Sequence, residues 1–246
     1  MPSNTPLTDA INALTTYSNT VTGASDTTLS DAVATLAAGY GGGGGSVLPT
    51  GYTQMMCLES SGSQYIDTGL YTTATDSYTI LFERTTGTGS SINVFGNNAT
   101  NCASFIQLAS GGNNVYWQYG SVGYHTIAVA VRYAGSMFLY RFGAESIDEY
   151  DNSNNGFVPI DTQTGTSVTE NSNVHNILFG RSTSSTLRQL SSLRIFRFIA
   201  KRNGTKIRDM YPAMRDSDKV LGMYDTVNNV FYTNAGSGTF SAVVMI

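Results

Sequence analysis

The sequence predicts a mainly β protein, a sandwich of antiparallel sheets preceded by a short N-terminal α-helical hairpin. From Val47 onward, apolar residues alternate with polar ones or form short runs between turn residues, which is the pattern of strands. Charged residues make up only 12% of the chain, whereas 15 Tyr and 11 Phe are present. Before the glycine-rich stretch, the apolar residues instead follow a helical spacing.

The helical hairpin is predicted from two similar octets, LTDAINAL at 7–14 and LSDAVATL at 29–36. The apolar residues of each octet form one stripe of an amphipathic helix: Leu7, Ile11, Leu14, Leu29, Val33 and Leu36. Two such short helices bury too little surface to be stable alone. We therefore expect residues 1–39 to anchor the chain to another protein or to copies of itself, forming a homo-oligomer. Packing on the chain's own large domain is the alternative.

The stretch YGGGGGS at 40–46 separates the two parts of the chain. Glycine and serine give a linker reach without fixed structure, so we expect a flexible tether. The predicted domains are thus an anchor or oligomerisation segment at 1–39, a glycine-rich linker at 40–46 and the β-sandwich at 47–246.

The strands of the sandwich are predicted from apolar or alternating segments bounded by turn residues: 65–70, 77–85, 91–96, 103–110, 113–120, 125–133, 135–142, 175–182, 191–201 and 222–236. In the second segment, Tyr78, Ile80 and Phe82 should share the core face. The segment 125–133 should place Val131 inward and form a hairpin with 135–142. The polar segment ESIDEYDNSNNG, 145–156, is predicted to be a solvated loop.

Several segments also resemble known proteins: LPTGYTQMMCLESSGSQYIDTGL, RIFRFIAKRNGTKIRDMYPAMR and VLGMYDTVNNVFYTNAGSGTF. They resemble a domain of gut bacteria and their phages that is similar to laminin-G-like, concanavalin A-like jelly rolls. The N-terminal TTYSNTVTGASDTTLSDAVATLAAGYGGG resembles the leader of phage and prophage tail or other virion structural proteins. The resemblance implies a virion protein, such as a tail fibre, head fibre or decoration protein, whose jelly roll binds a surface ligand, often a glycan.

Charge and cysteine content limit the kinds of partner and the cellular compartment that we expect for this chain. A net charge of −4, with 13 Lys and Arg that are not clustered, disfavours nucleic acid. Neither a signal peptide nor a membrane-spanning stretch is predicted, so we expect no membrane insertion. Cys57 and Cys102 follow no metal or redox spacing and are predicted to be two buried thiols. These features favour synthesis in a reducing cytoplasm, and the resemblance then implies a host bacterial cytoplasm and release within a virion.

The sequence carries no complete motif for catalysis, and we expect no enzymatic activity. Retaining glycosidases need two carboxylates on one strand face, but the candidate segment has Ile147 between Glu145 and Glu149. The two histidines, His125 and His175, accompany no nucleophile-elbow motif. A polysaccharide hydrolase on the same fold and a purely structural decoration or fibre protein stay open as alternatives.

Sugar binding needs an exposed aromatic ring beside amide groups, and the segment 113–120 offers both. The candidate ligand-binding residues are Asn113, Asn114, Tyr116, Trp117, Gln118 and Tyr119. Tyr116 and Gln118 share one face of the strand, while Trp117 and Tyr119 share the other. One pair must face the core, and a core position is favoured for Trp117.

A calcium loop is a weaker possibility. Asp151, Ser153 and Asn155 occupy positions 1, 3 and 5 of a pattern that has Gly156 at position 6. Position 12 is Thr162 instead of a bidentate Glu, so an Asn-rich turn is the preferred interpretation. No other cofactor is expected.

Overall fold

A computed structural model describes residues 47–244, except 88, 132, 152, 184 and 185, and these residues form strands and no helix. The strands are β1 (Tyr52–Ser61), β2 (Ile66–Leu70), β3 (Asp76–Arg84), β4 (Ile92–Asn97), β5 (Ala103–Leu108), β6 (Asn114–Gly120), β7 (His125–Ala128), β8 (Met137–Gly143), β9 (Ser146–Asp151), β10 (Gly156–Thr162), β11 (Asn176–Leu178), β12 (Gly180–Thr183), β13 (Thr186–Leu190), β14 (Ser192–Arg202), β15 (Thr205–Arg215), β16 (Leu221–Asp225), β17 (Val230–Thr233) and β18 (Ser241–Val244). The predicted hairpin at 1–39 and linker at 40–46 lie outside the described residues.

The strands form two sheets. A ten-stranded sheet has the order β10-β9-β8-β3-β14-β1-β15-β16-β17, with β18 beside β1. An eight-stranded sheet has the order β13-β12-β4-β5-β6-β7, with β11 between β4 and β2. The pairings are antiparallel, apart from one parallel bridge between Ser182 and Asn97. This confirms the predicted mainly β sandwich and is consistent with a jelly-roll-like fold.

Aromatic side chains fill the core between the two sheets. Strand β3 alternates strictly, so that Tyr78, Ile80 and Phe82 are fully buried, as predicted. The Tyr78 ring lies 4.8 Å from the Phe95 ring of the opposite sheet, and Phe95 lies 5.0 Å from Phe198. Burying each such side chain stabilises the fold by about 1.5–3 kcal/mol.

A polar network is buried at one end of this core. Asn176 on β11 accepts hydrogen bonds at Oδ1 from Ser104 Oγ (2.8 Å) and Asn97 Nδ2 (2.7 Å). Its own Nδ2 donates to the Tyr78 hydroxyl over 3.1 Å. Because Asn176, Asn97 and Ser104 are fully buried, these bonds replace the water that the groups lost on folding. The network fixes β11 against β3, β4 and β5.

The predicted hairpin between 125–133 and 135–142 is wrong. Strand β7 ends at Ala128 and pairs with β6 in the eight-stranded sheet, whereas β8 pairs with β3 and β9 in the other sheet. The connection between them therefore crosses from one sheet to the other. Val131, predicted to face the core, is 41% exposed within this connection. Alternation shows which residues of a strand share a face but does not show which sheet the strand joins.

The prediction of a solvated loop at 145–156 is also wrong. Its first part is strand β9, which forms a hairpin with β10 and also pairs with β8. Ile147 is fully buried, and the buried Asp148 accepts a 2.8 Å bond from Arg141 Nε. These cross-strand partners outweigh the low strand propensity of the polar residues.

Candidate functional site

The alternating burial of side chains along β6 shows which of the two predicted pairs faces the core. Trp117 and Tyr119 are fully buried. The Trp117 Nε1 donates to Asp161 Oδ2 over 2.8 Å, and the Tyr119 hydroxyl donates to the backbone oxygen of Thr73 over 2.6 Å. The two residues therefore belong to the core, and we no longer count them among the residues that could contact a ligand.

The other predicted residues lie on the opposite side of β6. Asn114, Tyr116 and Gln118 alternate with the core residues and are half-buried, while Asn113 is exposed in the turn before the strand. The Tyr116 ring stands edge-on to the Tyr124 ring, with 5.9 Å between centroids. Tyr124 is 64% exposed. The structure thus brings Asn114, Tyr116 and Gln118 together on one face, with an accessible aromatic pair.

The neighbouring strand β5 extends this surface. Cross-strand pairing sets Gln107 beside Tyr116 and Phe105 beside Gln118. Ile106 and Leu108 alternate with them and belong to the core. We call this surface the β4–β7 outer face: the side chains of β4, β5, β6 and β7 that point away from the core.

An arginine from β12 lies across this face. The Arg181 guanidinium carbon is 4.5 Å from the centroid of the Phe105 ring, and Nη1 donates to Gln107 Oε1 over 3.4 Å. Next to Gln107, the buried Asn93 of β4 donates from Nδ2 to Gln189 Oε1 over 2.6 Å. The Asn93 Oδ1 is buried and accepts no hydrogen bond. Among the described residues this oxygen is a buried acceptor without a donor, and it lies beneath the surface of the face.

These additional residues were not predicted from the sequence, and the reasons differ. Phe105 and Gln107 alternate with Ile106 and Leu108, so the β5–β6 hairpin register could have identified them. Arg181 gave no such signal, because it lies 74 residues from Gln107 along the chain and meets it only in the folded sheet.

A crossing segment bounds the β4–β7 outer face at one end. Gly120 ends β6 with φ +67°, and a Cβ at this position would come within 2.4 Å of the Ser167 backbone oxygen. The Ser121 amide donates to that same oxygen over 2.8 Å. The segment around Ser167 therefore passes over the end of β6.

Both histidines form pairs with aspartates. His125 Nδ1, at the start of β7, lies 2.7 Å from Asp161 Oδ2. Burial raises the pKa of the Asp161 carboxyl. Hydrogen bonds with Trp117 and His125 lower it, and because together the lowering effects are larger, the pKa lies below its ordinary value. His175 Nδ1 lies 2.9 Å from Asp67 Oδ1 on β2, in the same eight-stranded sheet.

The predicted calcium residues satisfy one another within the turn between β9 and β10. Asp151 Oδ1 accepts a 2.8 Å bond from the Ser153 amide, and Oδ2 accepts one from Asn154 Nδ2. Asn155 Oδ1 accepts a 2.7 Å bond from the Tyr150 hydroxyl. Among the residues that the structure describes, no group of three His, Cys, Asp or Glu side chains could hold a metal ion. Calcium binding stays an untested prediction.

Two further sequence-based expectations concern the cysteines and membrane spans. Cys57 and Cys102 are free and buried, as predicted, and burial raises the pKa of both thiols. Within the described part of the chain, no helix is long and apolar enough to cross a membrane.

Comparison with known proteins gives structural neighbours alone. No protein-family model and no curated protein match the chain. One similar solved structure is scytalido-glutamic peptidase with a peptide-based transition-state analogue, at 11% identity, a TM-score of 0.36 and coverage of 77% of this chain and 100% of that chain. A second is scytalido-glutamic peptidase with a transition-state analogue inhibitor, at 12% identity, a TM-score of 0.39 and the same coverage.

These neighbours correct one prediction. We expected no enzymatic activity, but both solved structures are peptidases, so that expectation is dropped. With TM-scores of 0.36 and 0.39, the likeness assigns neither a reaction nor catalytic residues to this chain.

Proposed function

We propose that this chain is a phage virion structural protein that displays a laminin-G-like or concanavalin A-like jelly roll for adhesion to host or environmental surface glycans. The observation that carries the proposal is the β4–β7 outer face, where an accessible tyrosine pair lies beside amide side chains. Aromatic rings pack against the C–H face of a sugar, and amides bond its hydroxyls. In this proposal residues 1–39 form the helical anchor, 40–46 the tether and 47–246 the jelly roll.

The position where the chain enters the sandwich supports this arrangement. Leu48 is buried against Tyr211, Ala213 and Tyr224 on the outer face of the ten-stranded sheet. The described part of the chain therefore begins on the side opposite to the β4–β7 outer face. Attachment through the residues before Leu48 would leave the proposed glycan-binding face uncovered.

Adhesion through such a face depends on several copies of the protein being present on one particle. A shallow site with few polar contacts binds a single glycan weakly, but several copies on one particle raise the effective concentration of neighbouring sites. A glycine-rich tether lets the copies reach unevenly spaced ligands. Oligomerisation through the predicted hairpin would add to the same effect.

A glycan array tests the proposal. The full-length protein should bind at least one class of surface glycan, and Tyr116→Ala should weaken that binding at least about tenfold by removing the aromatic contact. Tyr133→Ala is the control, since Tyr133 is a tyrosine that is 64% exposed in the β7–β8 connection, away from this face. Equal loss in both variants would contradict the assignment of the face.

The alternatives give different outcomes. A purely structural decoration or fibre protein would bind no glycan on the array. A polysaccharide hydrolase would shorten the bound chains on incubation, which mass spectrometry of the released products would detect.

A further inference from the structure

The β4–β7 outer face steps down towards the edge of its sheet. Strand β7 is the last strand of the eight-stranded sheet, and its outward side chains, Thr126 and Ala128, are short and exposed. Cross-strand pairing sets Thr126 beside Tyr116 and Ala128 beside Asn114. The longer side chains of β6 therefore rise above an apolar floor that the Ala128 and Thr126 methyl groups form along β7.

Two tyrosine rings stand beside this floor. Tyr116 is half-buried and Tyr124 is 64% exposed. Their rings are nearly perpendicular, with an interplanar angle of 81° and 5.9 Å between centroids. Perpendicular rings present apolar surfaces in two directions, so one ring can pack against the C–H face of a sugar while the other contacts a substituent or a neighbouring sugar.

The amides of β6 keep most of their hydrogen-bonding capacity. Asn114 Nδ2 donates to Asn113 Oδ1, and Gln118 Nε2 donates to the Gly120 backbone oxygen, both over 3.5 Å, which is long for a hydrogen bond. Within the described part of the chain, the side-chain oxygens of Asn114 and Gln118 accept no hydrogen bond. A side-chain amide both donates and accepts, so each can pair with a second amide through its N–H and its C=O.

The outward side chains of β6 and β7 carry no charge: Asn114, Tyr116, Gln118, Thr126 and Ala128. Arg181 lies farther from the sheet edge, where it packs on Phe105 and donates to Gln107 of β5. A ligand therefore needs no charged group to bind along β6 and β7. The surface instead offers an aromatic ring, an amide and an apolar floor next to one another.

From this arrangement we infer that the ligand contains an N-acetylated sugar. The sugar ring packs on Tyr116, its acetamido group pairs with the Asn114 amide, and the acetamido methyl lies on Ala128. A hydroxyl in place of the acetamido group would leave the apolar floor in water and would offer no C=O to the Asn114 N–H. The inference rests on the proposed function and adds the chemical class of the ligand.

Matched glycosides test the inference. Sugars of the gluco, galacto and manno series are presented with an N-acetyl, an N-formyl or a hydroxyl group at the same ring carbon, and they are probed with the full-length protein. The N-formyl group lacks only the methyl, whereas the hydroxyl lacks the amide as well. In at least one series we expect the N-acetyl form to bind about fourfold more tightly than the N-formyl form and at least about tenfold more tightly than the hydroxyl form.

Two variants separate the methyl from the amide. Ala128→Gln should remove the preference for N-acetyl over N-formyl, because a longer side chain occupies the place of the methyl. Asn114→Ala should remove the preference for N-formyl over hydroxyl. The matched controls are Ala235→Gln, in the exposed segment after β17, and Asn173→Ala, and both should leave these preferences unchanged. If a variant fails to fold, the three forms compared on the wild-type protein still decide the question.

The possible outcomes separate the inference from the proposal beneath it. Equal binding of N-acetyl and hydroxyl forms in every series, or binding of glycans without an N-acetylated sugar alone, would overturn the inference; if that binding stays sensitive to Tyr116→Ala, the adhesion function stands. A preference for N-acetyl forms that neither Ala128→Gln nor Asn114→Ala changes would also overturn it. Binding of no glycan at all would overturn both.

Discussion

Neighbouring residues on one strand have opposite roles in this protein. Tyr116 lies on the outer surface with Tyr124, whereas Trp117, one position later, is fully buried and bonded to Asp161. The sequence showed that these two residues must face opposite ways, because strand side chains alternate. It could only favour, and not decide, which one faces the core, since the partner Asp161 is 44 residues away along the chain.

The Asp161 carboxylate should make stability depend on acidity. Its folded-state pKa is lowered, so its stabilising contribution is present above the unfolded-state pKa of about 3.9 and is lost as the pH falls through the folded-state value. We expect Asp161→Asn to lose less thermal stability than the wild type between pH about 5 and about 3. Thermal unfolding followed by circular dichroism measures this.

The control for this experiment is Asp216→Asn, which removes an exposed carboxyl on the surface. A wild type and an Asp161→Asn variant that lose the same stability on acidification would show that Asp161 does not contribute in this way.

At the scale of the strands, the sequence predicted many of the strands but not β1 or β15, and it paired β7 with the wrong neighbour. The alternation of apolar and polar residues in β3 identified its core face correctly, because the strands on both sides of β3 belong to the same sheet. The crossing from β7 to β8 and the hairpin of β9 with β10 depend on pairings between strands, which local periodicity does not encode. The candidate site shows the same limit: β6 and β5 could be predicted from alternation, whereas Arg181 on β12 could not.

The buried network around Asn176 joins four strands and should be essential to their packing. Asn176→Ala would leave the hydroxyl of Ser104 and the amide of Asn97 without a shared acceptor inside the core. We expect the free energy of unfolding to fall by about 3 kcal/mol. Urea denaturation followed by the fluorescence of Trp117, the single tryptophan of the chain, measures it.

Asn173→Ala serves as the control, since Asn173 is exposed and substitution there should change stability by no more than about 0.5 kcal/mol. A loss below about 1 kcal/mol in Asn176→Ala would mean that the network is dispensable.

At the scale of the whole molecule, the described chain begins on one outer face of the sandwich, and the proposed ligand-binding face is the other. Leu48 fixes the entry point on the ten-stranded sheet, and the tyrosine and amide side chains lie on the other. Such a polarity suits a domain that is carried at the surface of a particle.

The N-terminal segment should set the oligomeric state. If the two predicted amphipathic stripes associate between copies, the full-length chain is a homo-oligomer, and the double variant Ile11→Asp/Val33→Asp should be a monomer because each substitution places a charge within an apolar stripe. Multi-angle light scattering measures the mass of both proteins. A monomeric wild type that also binds no virion protein would contradict the anchor assignment.

The position of the bound glycan tests the central claim most directly. Backbone amide chemical shifts of the full-length protein would be recorded with and without the strongest glycan found on the array. We predict that the shifted amides lie in β5, β6 and β7 and around Arg181, and that the amides of β14 and β15 do not shift. Shifts confined to the ten-stranded sheet, or a spectrum that no glycan changes, would contradict the proposed adhesive face.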